Sequence, residues 1–131
     1  MEMEVCFPGN LRVDSSYKGF TVHTDQPRES GGDGSAPEPF DVFLSSIGTC
    51  TGVYILYFCR NRGIDATGIR LVLRFDRNEK TRMVENVSIR ILLPQDFPDR
   101  YREALIRTAG LCTVKKHLTH PPAFDIQAVK A

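Results

Sequence analysis

Two cysteines stand in two separate apolar stretches of this chain: Cys50 within PFDVFLSSIGTCTGVYILYFCRNRGI and Cys112 within YREALIRTAGLCTVKKHL. A thiol in an apolar helix packs as a small hydrophobe, and two thiols that meet in space can also carry reversible redox chemistry on a peroxide. The pair therefore points to a cysteine-based peroxidase. Cys59 falls roughly opposite Cys50 on the same helical stretch, and Cys6 sits in the first strand. Both are expected to be core or surface thiols outside the redox pair.

Other reactive side chains carry less. Cys112, His117 and His120 form a Cys-x4-His-x2-His run, but this matches no standard zinc spacing and has no evident fourth ligand, so no metal is expected. His23 reads as a solvent-facing strand residue. Lys115 and Lys116 follow Cys112 by three and four residues, where they favour its thiolate if they face it and otherwise form a solvated basic face.

The elements that must position the two sulfurs are legible from pattern. Pro39 suits the first position of a helix, Asp41 complements its positive end, and Arg60, Arg62 and Gly63 mark its stop. About 24 residues at ~1.5 Å each span ~36 Å, so this helix is expected to run through the middle of the molecule. Phe40, Phe43, Leu44, Ile47, Tyr54, Ile55, Tyr57 and Phe58 form one apolar face around Cys50, and Phe43, Ile47, Tyr54 and Tyr57 are its expected neighbours in a mostly dry substrate pocket. Gly48 and Gly52 lie on one line where another helix can approach closely, and with Val42, Val53 and Leu56 apolar on a further side, the helix calls for a homodimer built around it.

Before the helix, residues 3–13 and 17–23 read as two opening antiparallel strands. TDQPRESGGDGSAPEP follows as a structureless loop, either a rim or lid over the Cys50 helix or a flexible connector. After it, Ile69, Leu71, Leu73 and Phe75 alternate with polar residues, as do Val87, Ile89, Ile91 and Leu93, predicting a long hairpin across DRNEKTRM. A second helix is expected over residues 98–118, with Cys112 on its core-facing stripe, and a closing strand over 124–128. Strands, long helix, hairpin, helix and strand make an α+β fold, a single domain of 131 residues.

The 41% hydrophobic and 25% charged composition fits a soluble domain. Seventeen Lys and Arg against sixteen Asp and Glu leave only a weak long-range field, so neither nucleic acid nor an anionic membrane is expected as partner. The apolar run from Val42 to Phe58 includes Ser45, Ser46, Thr49 and Thr51, and is too short and polar for a spanning helix. MEMEVCFPGN has no basic region ahead of an apolar core, so a reducing cytoplasm is the expected location.

PFDVFLSSIGTCTGVYILYFCRNRGI resembles the central helix of the OsmC/Ohr family, and AGLCTVKKHL its second-helix motif; with GGDGSAPEP ahead of both, the resemblance covers essentially the whole chain. It implies an OsmC-like fold of antiparallel sheets with two central helices, and an intertwined homodimer with two active sites near the interface. It further implies that Cys50 is the peroxidatic nucleophile toward an organic hydroperoxide and Cys112 the resolving cysteine. An external dithiol of the lipoyl type, rather than a bound cofactor, would reduce the disulfide. The sequence departs from the family pattern at Phe40, where the peroxidases carry a Glu that organises the thiolate together with an early-strand Arg. Asp41 lies about 180° around the helix from Cys50. Arg12 is the arginine nominated to stabilise the thiolate, with Arg28 second. The alternative is a non-catalytic dimeric OsmC-like module that binds an apolar small molecule, with Cys50 a packing residue.

Overall fold

Asn10 adopts φ 45° and Lys18 φ 51°, followed by Gly19 at φ 80°, and these left-handed positions cut the N-terminal apolar run into three strands instead of the two expected. The computed structural model describes all 131 residues, Met1–Ala131, in two compact units, Met1–Ser45 and Ser46–Ala131. In the first unit, β1 (Glu4–Gly9), β2 (Arg12–Tyr17) and β3 (Phe20–Thr24) form an antiparallel sheet in sequence order. Tyr17 faces Phe20 across the tight Lys18-Gly19 turn, and Asp14 faces His23, whose Nδ1 lies 2.9 Å from the Asp14 carboxylate. Val5, Phe7 and Phe20 stay exposed on this sheet.

The Gly- and Pro-rich connection is ordered rather than structureless, because one buried carboxylate gathers its backbone. Asp25 accepts hydrogen bonds from the Gln26 amide (2.7 Å), the Ser35 amide (3.0 Å) and the Ser35 hydroxyl (2.6 Å). Its own amide donates to the Pro37 carbonyl at 3.1 Å, and a 3-10 turn forms at Arg28–Ser30. Gly32 passes so close to the Gln26 carbonyl and the Asp25 carboxylate that a side chain there would collide with both.

Helix α1 (Pro39–Asn61) begins and ends where its signals place it. Pro39 occupies the first turn, and Gly63, at φ 64°, turns the chain so that the Ile64 amide closes on the Cys59 carbonyl at 2.9 Å. By length and composition alone α1 could cross a membrane, a test that core helices of soluble proteins also pass. Here Ile47, Thr51, Ile55, Phe58 and Cys59 are buried, at spacings of four, four, three and one. The buried stripe thus centres on Thr51, whose hydroxyl is satisfied by the Ile47 carbonyl at 2.7 Å. Phe40, Phe43 and Tyr57, expected in one apolar face, are exposed on the flank of that stripe.

In the second unit, β4 (Arg70–Arg77) and β5 (Val84–Leu92) form the expected hairpin, with Leu71 opposite Ile91, Leu73 opposite Ile89 and Phe75 opposite Val87. Ile55, Phe58 and Cys59 pack with Phe97, Leu105 and Ala109 into the core, flanked by Leu71, Ile91 and Leu93. The predicted helix over 98–118 is divided. A 3-10 turn at Asp99–Tyr101 leads into α2 (Arg102–Ala109), and α3 (Thr113–Thr119) starts afresh. Gly110 is a weak helix former, and Cys112 leaves helical geometry (φ −48°, ψ 130°) to become the residue that caps α3. The exchange places its side chain wholly in the interior.

No strand forms over residues 124–128. Phe124, Ile126 and Val129 remain more than four-fifths exposed, because a strand exists only against an edge that takes its hydrogen bonds, and the segment pairs with none in this chain.

Candidate functional site

Cys50 and Cys112 meet in the second unit. Cys50 follows from α1 on the flank of its buried stripe and is half-buried, whereas Cys112 is fully buried at the joint between α2 and α3. Both are free thiols, and the Cys50 thiol is among the groups near enough to Cys112 to favour negative charge on its sulfur. Burial alone would push the Cys112 thiol up. The amide of Lys115, the Cys50 thiol, the amide of Val114 and the Thr51 hydroxyl together outweigh it and hold the thiol below its ordinary value. These amides stand too loosely for a formal capping bond, yet near enough to favour negative sulfur. Cys59, buried two residues before the end of α1, is pushed up by burial, with Arg62 opposing only in part. It is a packing thiol.

Two further side chains border this arrangement: Thr51, which periodicity did not single out, and Tyr54, which it named as a neighbour of Cys50. Thr51 interrupts the apolar stripe directly after Cys50, a polar residue at a core position whose hydroxyl donates to the Ile47 carbonyl and stands near the Cys112 sulfur. Tyr54, one turn after Cys50, bonds through its hydroxyl to the hydroxyl of Thr113, the residue after Cys112, at 2.8 Å.

An apolar cavity of about 480 Å³ opens beside Thr51, walled by Ile47 from α1, Ile89 and Ile91 from β5, and Leu105 and Ile106 from α2. Arg102 and Lys115 contribute the cationic part of its lining. Of the four residues expected around a substrate, Ile47 lines this cavity and Phe43, Tyr54 and Tyr57 do not. Cys50 does not line this cavity either: with Tyr54 and Tyr57 it lies on the flank of α1 beside the packed stripe that runs through Thr51. Phe43 stacks on Phe40 at 5.6 Å, and Tyr54 makes an edge contact with Tyr57 at 6.4 Å.

The nominated arginines belong to the first unit, where both turn toward Asp33. Arg12 Nε lies 3.9 Å from the Asp33 carboxylate and donates to the Gly9 carbonyl at 3.4 Å, while Arg28 Nε donates to the Asp33 carbonyl at 3.4 Å. His117 engages the Thr113 carbonyl at 2.8 Å and His120 the Thr119 hydroxyl at 3.1 Å, each within its own short segment.

A family model described as OsmC-like protein matches residues 32–127. Among solved structures, one named for osmotic stress induction and detoxification response, from Psychrobacter arcticus, is 27% identical with a TM-score of 0.74, covering 87% of this chain and 85% of that one. The organic hydroperoxide resistance protein OsmC of Legionella pneumophila, also described as a regulator of sulfide bond formation, is 17% identical with a TM-score of 0.54 over 89% and 87% of the two chains. A Vibrio cholerae protein named for organic hydroperoxide resistance, with captopril bound in one of its active sites, is 14% identical with a TM-score of 0.53 over 92% and 86%. No curated protein is significantly similar in sequence.

Proposed function

Because the chain belongs to the OsmC-like protein family, we propose that it is a thiol peroxidase that reduces an organic hydroperoxide through Cys50 and Cys112. The observation that carries this reading is the placement of a partly buried thiol beside a fully buried sulfur whose surroundings favour the thiolate. The names of the Legionella and Vibrio neighbours point the same way.

In the proposed cycle the Cys112 thiolate takes the proton of the neighbouring Cys50 thiol, leaving Cys50 as the nucleophile. Cys50 attacks the O–O bond of the hydroperoxide and becomes sulfenic acid. The leaving alkoxide recovers the proton from Cys112 and departs as the alcohol. The regenerated Cys112 thiolate then attacks the sulfenic sulfur, forms the disulfide and expels hydroxide. An external dithiol of the lipoyl type returns both cysteines to thiols and is itself oxidised to a disulfide. In this scheme the proton acceptor is a sulfur of the same unit, which offsets the missing Glu at Phe40. Arg12 remains a proposed electrostatic contributor. The exposed apolar residues of the first sheet and the unpaired segment around Phe124 and Ile126 support a homodimer.

One observation favours a second reading. The 480 Å³ apolar cavity would suit a module that binds an apolar small molecule without chemistry. Treating the reduced protein with cumene hydroperoxide and weighing it intact separates the two. Peroxidase action predicts the loss of two hydrogens, abolished in Cys50→Ser and in Cys112→Ser. An unchanged mass with both thiols still titratable overturns it in favour of the binding module.

A further inference from the structure

We infer that the Tyr54–Thr113 hydrogen bond is a clamp that holds the Cys112 sulfur in register for disulfide closure with Cys50, which makes Tyr54 and Thr113 positioning residues. The inference rests on the thiol peroxidase reading and extends it to two residues with no role in the proton and sulfur transfers.

Each partner of this bond is tied to one sulfur. Tyr54 stands one helical turn beyond Cys50 on α1, so its ring and the Cys50 side chain leave neighbouring points of one face. Thr113 adjoins Cys112 and is the first residue of α3. The 2.8 Å contact thus joins positions 59 residues apart in the chain, next to the two atoms that must bond. It matters because, beyond the buried Cys112 that caps it, α3 has no buried residue, and the break at Gly110 and Leu111 uncouples it from the continuous helical hydrogen bonding of α2. Sulfur bonding is geometrically narrow, with an S–S length of about 2.05 Å and Cα atoms within roughly 7 Å, so a small drift of the α3 start lowers the fraction of conformers that close.

Closure competes with a second oxidation. In closure the Cys112 thiolate bonds to the Cys50 sulfenic sulfur and hydroxide leaves. In the competing reaction the sulfenic acid takes an oxygen atom from a second hydroperoxide, giving sulfinic acid and the alcohol. Loosening the clamp slows the first path and leaves the chemistry of the second unchanged.

Thr113→Val removes the hydroxyl at the α3 end and leaves the Tyr54 hydroxyl in place; Tyr54→Phe does the converse, and the double variant completes a cycle. Closure after a single turnover and the sulfinic fraction at excess cumene hydroperoxide are read by quenched intact mass. The dithiol–disulfide equilibrium is read independently in a dithiothreitol redox buffer. Loss of one neutral hydrogen bond is expected to slow closure and weaken the disulfide about fivefold in each single variant. By the two-electron constant this shifts the potential by about 20 mV. The sulfinic fraction rises, the initial oxidation of Cys50 keeps its rate in Thr113→Val, and the double variant is no worse than either single one.

Wild-type closure and equilibrium in both single variants, or additive losses in the double, overturn the clamp. A slower first oxidation in Tyr54→Phe with a silent Thr113→Val also overturns it, assigning the tyrosine hydroxyl to the peroxide instead. If the wild-type protein ignores hydroperoxide while both variants shift the dithiothreitol equilibrium, the peroxidase reading falls and the clamp stands.

Discussion

The sulfur of Cys112 lies buried against the thiol of Cys50, at the place where α2 gives way to α3. Contact with a neighbouring thiol, two amides and the Thr51 hydroxyl makes the buried sulfur the one whose negative charge is favoured, even though its burial opposes charge.

That balance has a pH signature. The Cys112 thiol is held below the ordinary value of 9.0, so the folded protein carries its thiolate where the unfolded chain does not. The resulting stabilisation is fully present above about pH 9 and is lost as pH falls through the lowered value. Ultraviolet titration of thiolate absorbance is expected to show a step below that of a free thiol, absent in Cys112→Ser and moved upward in Cys50→Ala and Thr51→Val. An unmoved step in both of the latter variants refutes the assignment of those contacts.

Asp25 provides a second pH dependence, in the first unit. The Ser35 hydroxyl, then the Ser35 amide, outweigh burial and, with the Gln26 and Asp33 amides, lower its carboxyl from 3.8 to about 2. Its contribution to the order of the loop is therefore complete above pH 3.8 and is lost as pH falls toward 2. Hydrogen exchange at Ser35 should accelerate across that window, and Asp25→Asn should show the faster exchange already at neutral pH. Equal protection in the wild type at both ends of the window counts against this role.

Cys59 tests whether burial alone makes a thiol reactive here. It is 1% exposed with its thiol pushed up, so Cys59→Ser places an extra polar group in the core and should cost about 1–3 kcal/mol in thermal unfolding. Peroxide-driven loss of two hydrogens is expected to persist at the wild-type rate. A variant that folds but no longer closes would bring Cys59 into the redox chemistry.

Gly52 bears on the homodimer. A Cβ at this position meets no atom of the protomer, so in an isolated chain Gly52→Ala would gain about 1 kcal/mol of helix propensity. At Gly48, the other glycine of the line, a Cβ would meet the Leu73 side chain at 3.1 Å, so that space is already filled from within the unit. If a partner helix approaches Gly52, alanine should instead weaken self-association in sedimentation. A higher melting temperature with unchanged sedimentation sinks the idea of a close approach at this residue.

Gly32→Ala should destabilise the loop by about 1–3 kcal/mol, because the added methyl meets the Gln26 carbonyl, a backbone group that cannot swing aside. Faster proteolysis between Arg28 and Ser35 measures it. Wild-type resistance to cleavage would show that the backbone relaxes at no cost.

Local signals carried well through this chain. Pro39 and Gly63 bound α1 as their capping chemistry demands, and the period-two runs became β4 and β5 with the expected residues opposed. Both are decided by neighbours within a few positions, so the amino-acid order suffices. The family motifs around Cys50 and Cys112 are likewise local, and the family match over residues 32–127 rests on the same stretch.

The rest required three dimensions. The helix expected over 98–118 breaks because a capping conformation at Cys112 buries its side chain completely, a gain that exists only once α1 is there to receive it. Thr51 reads as an interruption of an apolar stripe until the Ile47 carbonyl accepts its hydrogen bond and the Cys112 sulfur comes to lie near its oxygen. Asp25 looks like one more polar loop residue until Ser35 returns to it from ten positions away. Residues 124–128 have the alternation of a strand and no edge to join. The amino-acid order alone determined where α1 starts and stops, which runs pair as the hairpin and which thiols to watch, since capping and periodicity act over a turn or two. Which face of α1 is buried, and which sulfur is shielded yet favoured as an anion, was decided by tertiary packing, because burial and electrostatics depend on groups that the chain brings together from far apart.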